Sequence, residues 1–407
     1  PPRLQLIRED ILKSGKMNSW EADDYLQWYD AYDRFLKEKG FDKAFPTVDD
    51  LTRSMGNVSF YYQGRIIENI RISNTVDAYA VNGWESMKLE NHSGIVDNYR
   101  FPKGDPEVMA RYNAPLYLAV KMNRKVVSTG DTTLVDTYIV NEKNLKGSYI
   151  LNLVAKDESG NVVASHKERV TVKGGNDYGQ CLQSGWAFIP KSKGYTRIEA
   201  SLLKGKTELV KGDDLLFAVE LNTKGITTRG SVADTTGALV NFLRGVGMEV
   251  PVYKGGTPEG DYLLVGAYEP TQWGSGMSDI MEWVYKGHTL IIVDNPERWA
   301  EFLADKEVLD YRGSKILGKS WYGGNFFNRE HPIFMNLPAN SAFNWEYQCF
   351  ATYNRRRIGL RCFNGETLVG CVSDHKKEVY SALQVIPAGS GKLIITTLDI
   401  PACIKGI

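Results

Sequence analysis

Immediately after Trp84 the chain places Glu85, Glu90, Asn91 and His92, all in one short polar stretch that follows an apolar run. Carboxylates and an imidazole can move protons or hold hydroxyl groups, and an indole offers a flat apolar platform to the C–H-bearing face of a ring. The plainer alternative is that these side chains only hydrogen-bond loop backbone, as charged residues on exposed loops usually do.

Other candidates are weaker. His288, His331 and His375 have no neighbouring Cys or Ser nucleophile motif. Gly255-Gly256 and Gly323-Gly324 lack the spacing that brings backbone N–H groups onto a phosphate, so they read as turns. Arg355-Arg356-Arg357 is a short basic run of the kind usually solvated. The five cysteines, Cys181, Cys349, Cys362, Cys371 and Cys403, form no CxxC pair and no zinc-ligand pattern. No metal and no cofactor is expected, and a disulfide is left open.

The elements that must hold the Trp84 stretch begin with helices. Leu4, Ile7 and Ile11 recur at helical spacing before Gly15. A second helix starts near Asn18 and Ser19 and carries Tyr25, Trp28, Tyr32 and Phe35 on one stripe. Thr47, Asp49 and Asp50 cap a third, whose Tyr62, Ile66, Ile67 and Ile70 lead toward a strand at 78–84. Helix followed by strand is half of a barrel repeat, and one strand alone cannot make a sheet.

From about 106 the pattern becomes alternation, in Leu116, Leu118 and Val120, in Val135, Tyr138 and Val140, and in Tyr149, Leu151 and Leu153, with turn signals between. Further strands are expected at 196–203 and 215–221, completing an antiparallel β-sandwich. From about 228, apolar runs at 231–233, 262–266, 289–293 and 392–397 alternate with helical stretches at 236–244, 278–285 and 296–303, which predicts a doubly wound α/β sheet. A β-rich insert over 340–386 is expected to hold strands at 347–353, 358–363 and 367–372.

Three domains follow, at 1–105, 106–227 and 228–407, since single cores stop growing near roughly 250–300 residues. Lys plus Arg equals Asp plus Glu at 49 each, so there is no basic footprint for nucleic acid or an anionic membrane. No apolar run approaches the roughly 18–20 residues of a membrane span. The abrupt start at Pro1-Pro2 reads as that of a fragment.

The stretch from Asn82-Gly83-Trp84-Glu85 through Asn91-His92-Ser93-Gly94-Ile95-Val96-Asp97 resembles the eighth barrel strand and following loop of family-2 glycoside hydrolases, the group of β-galactosidases, β-glucuronidases and β-mannosidases. Pro102-Lys103-Gly104-Asp105 and Ala114-Pro115-Leu116-Tyr117 resemble that family's passage into an immunoglobulin-like sandwich. The last region resembles the class I glutamine-amidotransferase-like domain that some bacterial members append. The turn Asp294-Asn295-Pro296-Glu297 stands where such enzymes place a cysteine nucleophile, and no cysteine is there.

The resemblance implies the C-terminal remnant of a (β/α)8 barrel, then the sandwich, then the α/β domain. It implies a β-galactosidase-like retaining hydrolase of β-linked sugars as the intact parent. Trp84, Glu85, Glu90, Asn91 and His92 would contact the substrate, an oligosaccharide or glycoconjugate. Retaining enzymes need two carboxyl groups about 5–5.5 Å apart. In this family they lie on strands four and seven, so the pair is expected upstream and the fragment alone inactive. If the strand count is off by one, Glu85 or Glu90 is the nucleophile. Family habit points to the periplasm or secretion, and self-association into a homo-oligomer is left open. The rival reading is a non-catalytic carbohydrate-binding or scaffolding protein. A third has the last domain cleaving an ester or amide.

Overall fold

The structure, a computed structural model, describes all residues except 18, 82, 86–93, 222, 224, 275, 318–324, 351–357, 373–376 and 406–407. Helix α1 (Leu4–Ser14) buries Leu4, Ile7 and Ile11 and ends at Gly15, whose φ of 66° is the left-handed conformation that glycine adopts without strain. Helix α2 (Trp20–Glu38) begins where Ser19 accepts a hydrogen bond from the Ala22 N–H, and it buries Tyr25, Trp28, Tyr32 and Phe35. Helix α3 (Val48–Ser73) opens with a reciprocal capping box between Thr47 and Asp50. A Cβ on Gly56 would lie 1.7 Å from the Lys103 carbonyl, so only glycine lets the chain at 103–104 lie against α3. Helix α4 (Pro106–Tyr112) follows, N-capped by Asp105.

The strand expected at 78–84 is absent from its described residues. Asn74 ends α3 in the left-handed conformation, and the chain then runs as exposed loop, with only an isolated bridge between Glu85 and Val96. The apolar alternation Val76, Ala78, Ala80 is there, but among the described residues no neighbouring strand offers N–H and C=O groups to pair with, and a lone strand is not stable. The barrel half-repeat is therefore three packed helices and a loop.

The sandwich follows. A three-stranded sheet orders β1 (Leu116–Met122), β3 (Thr133–Asn141) and β6 (Gly179–Phe188). It faces a five-stranded sheet ordered β2 (Val126–Ser128), β8 (Thr207–Val219), β7 (Gly194–Lys204), β4 (Gly147–Lys156) and β5 (Val162–Val172). All pairings are antiparallel except β2 on β8. Their facing residues, among them Leu118, Val120, Leu151, Leu153, Ile198 and Leu216, form one core. The inward set on β3 is Val135, Thr137 and Ile139; Tyr138 lies on the other face beside Cys181. The expected grouping of Val135 with Tyr138 broke the two-residue period of a strand.

In the last region β9 (Gly230–Ala233), β10 (Tyr262–Val265) and β11 (Thr289–Ile292) are parallel, and β17 (Gly391–Thr396) joins β11 in the same sense. Val252 bridges Val232 in parallel on the outer side of β9. The resulting order, outer bridge, β9, β10, β11, β17, is that of a doubly wound sheet in which the order of strand addition reverses between β9 and β10 while the strands stay parallel. Helices α6 (Gly276–Tyr285) and α7 (Pro296–Asp305) pack on one face, and α5 (Ala238–Gly245) and α8 (Ile400–Lys405) on the other.

An antiparallel extension joins through β16 (Val379–Ala388), with β12 (Tyr311–Ile316), β13 (Phe326–Asn328), β14 (Ile358–Cys362) and β15 (Glu366–Val372). The strand expected at 347–353 is not one in its described part. Trp345–Phe350 forms 3-10 turns, and Tyr347 stacks on Phe343 with ring centroids 4.1 Å apart. Clustering of the rings decides the local backbone there.

The helices and this extension share a core. Phe327 of β13 meets Phe35, Phe41 and Phe45 edge-on, with Ala342 and Val372 alongside. The last region thus covers the helices directly, a contact no local pattern announces.

Candidate functional site

Trp84 sits at the end of the exposed segment that follows α3. Its carbonyl accepts from the Ile95 and Val96 N–H groups at 2.9 and 3.0 Å, which ties position 84 to positions 95 and 96. The indole is 61% exposed. Val76, Tyr79 and Val81 precede it on the same segment and are also exposed. A backbone held on one side and an uncovered ring on the other suit a stacking platform.

Glu85 bridges Val96 and places its carboxylate 2.8 Å from Arg100, in a largely solvent-exposed pair of small energetic worth. Glu90, Asn91 and His92 lie outside the described residues. Asp97, fully buried just beyond the loop, accepts from the backbone N–H groups of Arg3, Tyr99 and Phe101 at 3.0, 3.0 and 3.1 Å. Burial pushes its carboxyl up, and those three donors oppose the shift. Arg3 in turn holds Asp49 with two bonds of 2.6 Å and donates to the Pro102 carbonyl. The turn after the loop is therefore clamped to the first helices. Glu85 and Asp97 are committed to these partners, as a bracing role requires.

The histidines of the last region serve packing or capping. His288 stacks on Trp283, centroids 4.5 Å apart and rings 2° from parallel, and the His331 Nδ1 accepts from the Ile333 N–H. His375 lies outside the described residues. At the turn from β11 to α7, Asn295 takes φ 48° and ψ 43° with Pro296 opening the helix. This sharp strand-to-helix turn carries the Asn295 amide. A cavity of about 380 Å³ lies against it, lined by Asp294, Glu297, Arg298, Thr397 and Asp399. Thr397 and Asp399 arrive there from β17, about a hundred residues later, so no local spacing could have joined them to the turn.

A further concentration of charge, missed in the sequence, lies where the three regions meet. The Lys125 ammonium donates to Asp214 at 2.5 Å and to the Tyr61 hydroxyl at 2.7 Å, and stands 4.3 Å from the centroid of the Trp345 ring. Arg65 bridges Glu68 and Asp214 at 2.9 and 3.3 Å, and Lys121 reaches Glu68 at 3.4 Å. Burial brings the Lys125 amine down to about 8, against the attraction of Asp214, and pushes the Glu68 carboxyl up. Beside it, Glu346 accepts from Tyr195 at 2.7 Å. Enclosure of Lys125 by rings and partners from all three regions makes it a fastener between them.

Among the described residues no disulfide is present and no group of three or more His, Cys, Asp or Glu could hold a metal ion. No described helix is long and apolar enough to cross a membrane.

No protein-family model and no curated protein sequence matches the chain. Similar solved structures include the CARDB domain of the PF1109 protein of Pyrococcus furiosus, at 15% identity over 26% of this chain and 93% of that one, with a TM-score of 0.19. They also include a glycosyl hydrolase family 2 member of Bacteroides cellulosilyticus, at 14% identity over 44% of this chain and 25% of that one, TM-score 0.20. A β-glucuronidase of Bacteroides uniformis is similar at 13% identity over 43% and 22%, TM-score 0.21. The chain spans about a quarter of the length of these two hydrolases.

Proposed function

We propose that this chain belongs to a retaining, family-2-type glycoside hydrolase acting on β-linked sugars. In this reading Trp84 forms part of the wall of the donor-sugar subsite. The observation that carries it is the uncovered indole on a backbone anchored to Ile95 and Val96, in a stretch that resembles the end of that family's barrel. Glu85 braces the loop through Arg100, and Glu90, Asn91 and His92 are the further proposed contacts. The nucleophile and the acid/base come from barrel strands four and seven, outside these 407 residues, and the chain alone does not hydrolyse glycosides.

The sandwich and the last region serve as supports. Lys125 and Asp214 tie the sandwich to α3 through Tyr61 and Arg65, and Phe327 ties the last region to α2 through Phe35. The amide at the Asn295 turn fits a domain that has kept an amidotransferase-like shape and lost its nucleophile. The test is hydrolysis of a panel of nitrophenyl β-glycosides by this chain and by the full gene product. Activity confined to the longer protein supports the reading. Hydrolysis by this chain transfers the nucleophile to Glu85 or Glu90, and activity in neither leaves the carbohydrate-binding or scaffolding reading in its place.

A further inference from the structure

A cavity of about 670 Å³ opens between the end of α3 and the turn that joins β5 to β6. Its frame is rigid. The Asn74 side chain exchanges two hydrogen bonds with the backbone of Gly179, at 2.5 and 2.7 Å, and a Cβ on Gly179 would lie 2.5 Å from the Ile72 Cα. Arg71, 7% exposed, forms part of the wall. Its guanidinium donates to the carbonyls of Tyr112 and Ala114 and to Glu142, yet its Nε–H is buried with no hydrogen-bond partner. That atom is sealed from solvent, so Arg71 braces the wall and offers no donor to the cavity.

Asp77 and Asp177 line the same space, and neither makes a hydrogen bond or ion pair with a described residue. Tyr79 and Tyr178 line it too, 38% and 50% exposed. The Tyr79 hydroxyl is anchored on Asn113 at 2.7 Å, and the backbone of Tyr178 is held by the Asn141 N–H at 2.8 Å. The cavity at the Asn295 turn has no aromatic residue in its lining, and that of the sandwich has only the buried Tyr117. Exposed ring faces beside carboxylate acceptors match a polyhydroxylated ring, whose C–H face stacks and whose hydroxyls donate hydrogen bonds. The unpaired carboxylates disfavour an anionic sugar.

We infer that this cavity is a second carbohydrate-binding site, selective for neutral β-linked oligosaccharides, with none of Trp84, Glu85, Glu90, Asn91 or His92 in its lining. The inference rests on the carbohydrate reading above. It is tested by calorimetric titration of the 407-residue chain with neutral β-linked tetrasaccharides from galactan, mannan and glucan, with trigalacturonate and calcium chloride as comparators. The expected result is binding of at least one neutral tetrasaccharide, weakened tenfold or more by Tyr178→Ala and by Asp177→Asn. Failure of every neutral tetrasaccharide to bind, binding of trigalacturonate or calcium alone, or binding that survives both substitutions overturns it. Aryl-glycoside hydrolysis by the full gene product that persists in Tyr178→Ala while no tetrasaccharide binds sinks this site and leaves the hydrolase reading standing.

Discussion

The junction around Lys125 and the segment from Val76 to Glu85 treat their side chains in opposite ways. At the junction, charged groups that would be cheaper in water are buried and matched: Lys125 with Asp214, Arg65 with Glu68 and Asp214. Along the segment, apolar groups that would be cheaper inside stay uncovered, with Trp84 the most exposed of them. Matched burial of charge holds three regions in one arrangement, whereas uncovered rings on an anchored backbone leave a surface for something else to cover. Stability should therefore reside at the junction and at Phe327, and ligand contact along the segment.

The largest expected effects break the buried side of this contrast. Asp214→Leu removes the carboxylate shared by Lys125 and Arg65 and should cost about 3–5 kcal/mol in chemical denaturation, because two buried cations lose their counter-charge. Phe327→Ala should cost a similar amount, about 3–5 kcal/mol, and should separate the unfolding of the helices from that of the last region. A single unshifted transition in either variant would mean that the junction does not hold the regions together. Gly56→Ala comes next, at about 1–3 kcal/mol, since the new methyl meets the Lys103 carbonyl and the chain at 103–104 must move.

A pH experiment sharpens the junction further. The Lys125 amine titrates near 8 when folded and at about 10.4 when unfolded. Between those values the unfolded chain holds a proton that the folded chain has released, so this group adds stability as pH rises through 8, while below 8 its burial penalty is constant. Relative to Lys125→Met, the parent chain should gain about 1–2 kcal/mol between pH 7.5 and 9.5. Parallel stability curves for the two proteins would remove Lys125 from the account. The smallest effect belongs to the exposed side. Trp84→Ala should leave the denaturation midpoint within about 0.5 kcal/mol of the parent, and a larger loss would show the indole to be packed.

Helix ends were legible because their signals are local. Ser19, and Thr47 with Asp50, lie within a few residues of the N–H groups they satisfy, and Gly15 stops α1 by its own conformation. Strand β5 was not named because its exposed-edge run, Ser165-His166-Lys167-Glu168-Arg169, has little apolar alternation to announce it. The segment at 78–84 has strand-like residues and no partner, and pairing is not a property of one segment. At the candidate site, Trp84 and Glu85 could be singled out from residue type and neighbourhood. Lys125 could not, because Asn123-Arg124-Lys125 reads as a charged turn until Asp214 and Trp345 arrive from distant parts of the chain. The cavity at Tyr178 was hidden for the same reason, being built from two turns about a hundred residues apart.

The most direct test of the central claim is the kcat/KM of the full gene product and of its Trp84→Ala variant on the best nitrophenyl β-glycoside of the panel. The account predicts a loss of about 10- to 100-fold, equivalent to roughly 1.4–2.8 kcal/mol of transition-state binding, with the unfolding midpoint unmoved. Unchanged kcat/KM in the folded variant would contradict it and remove Trp84 from the sugar site.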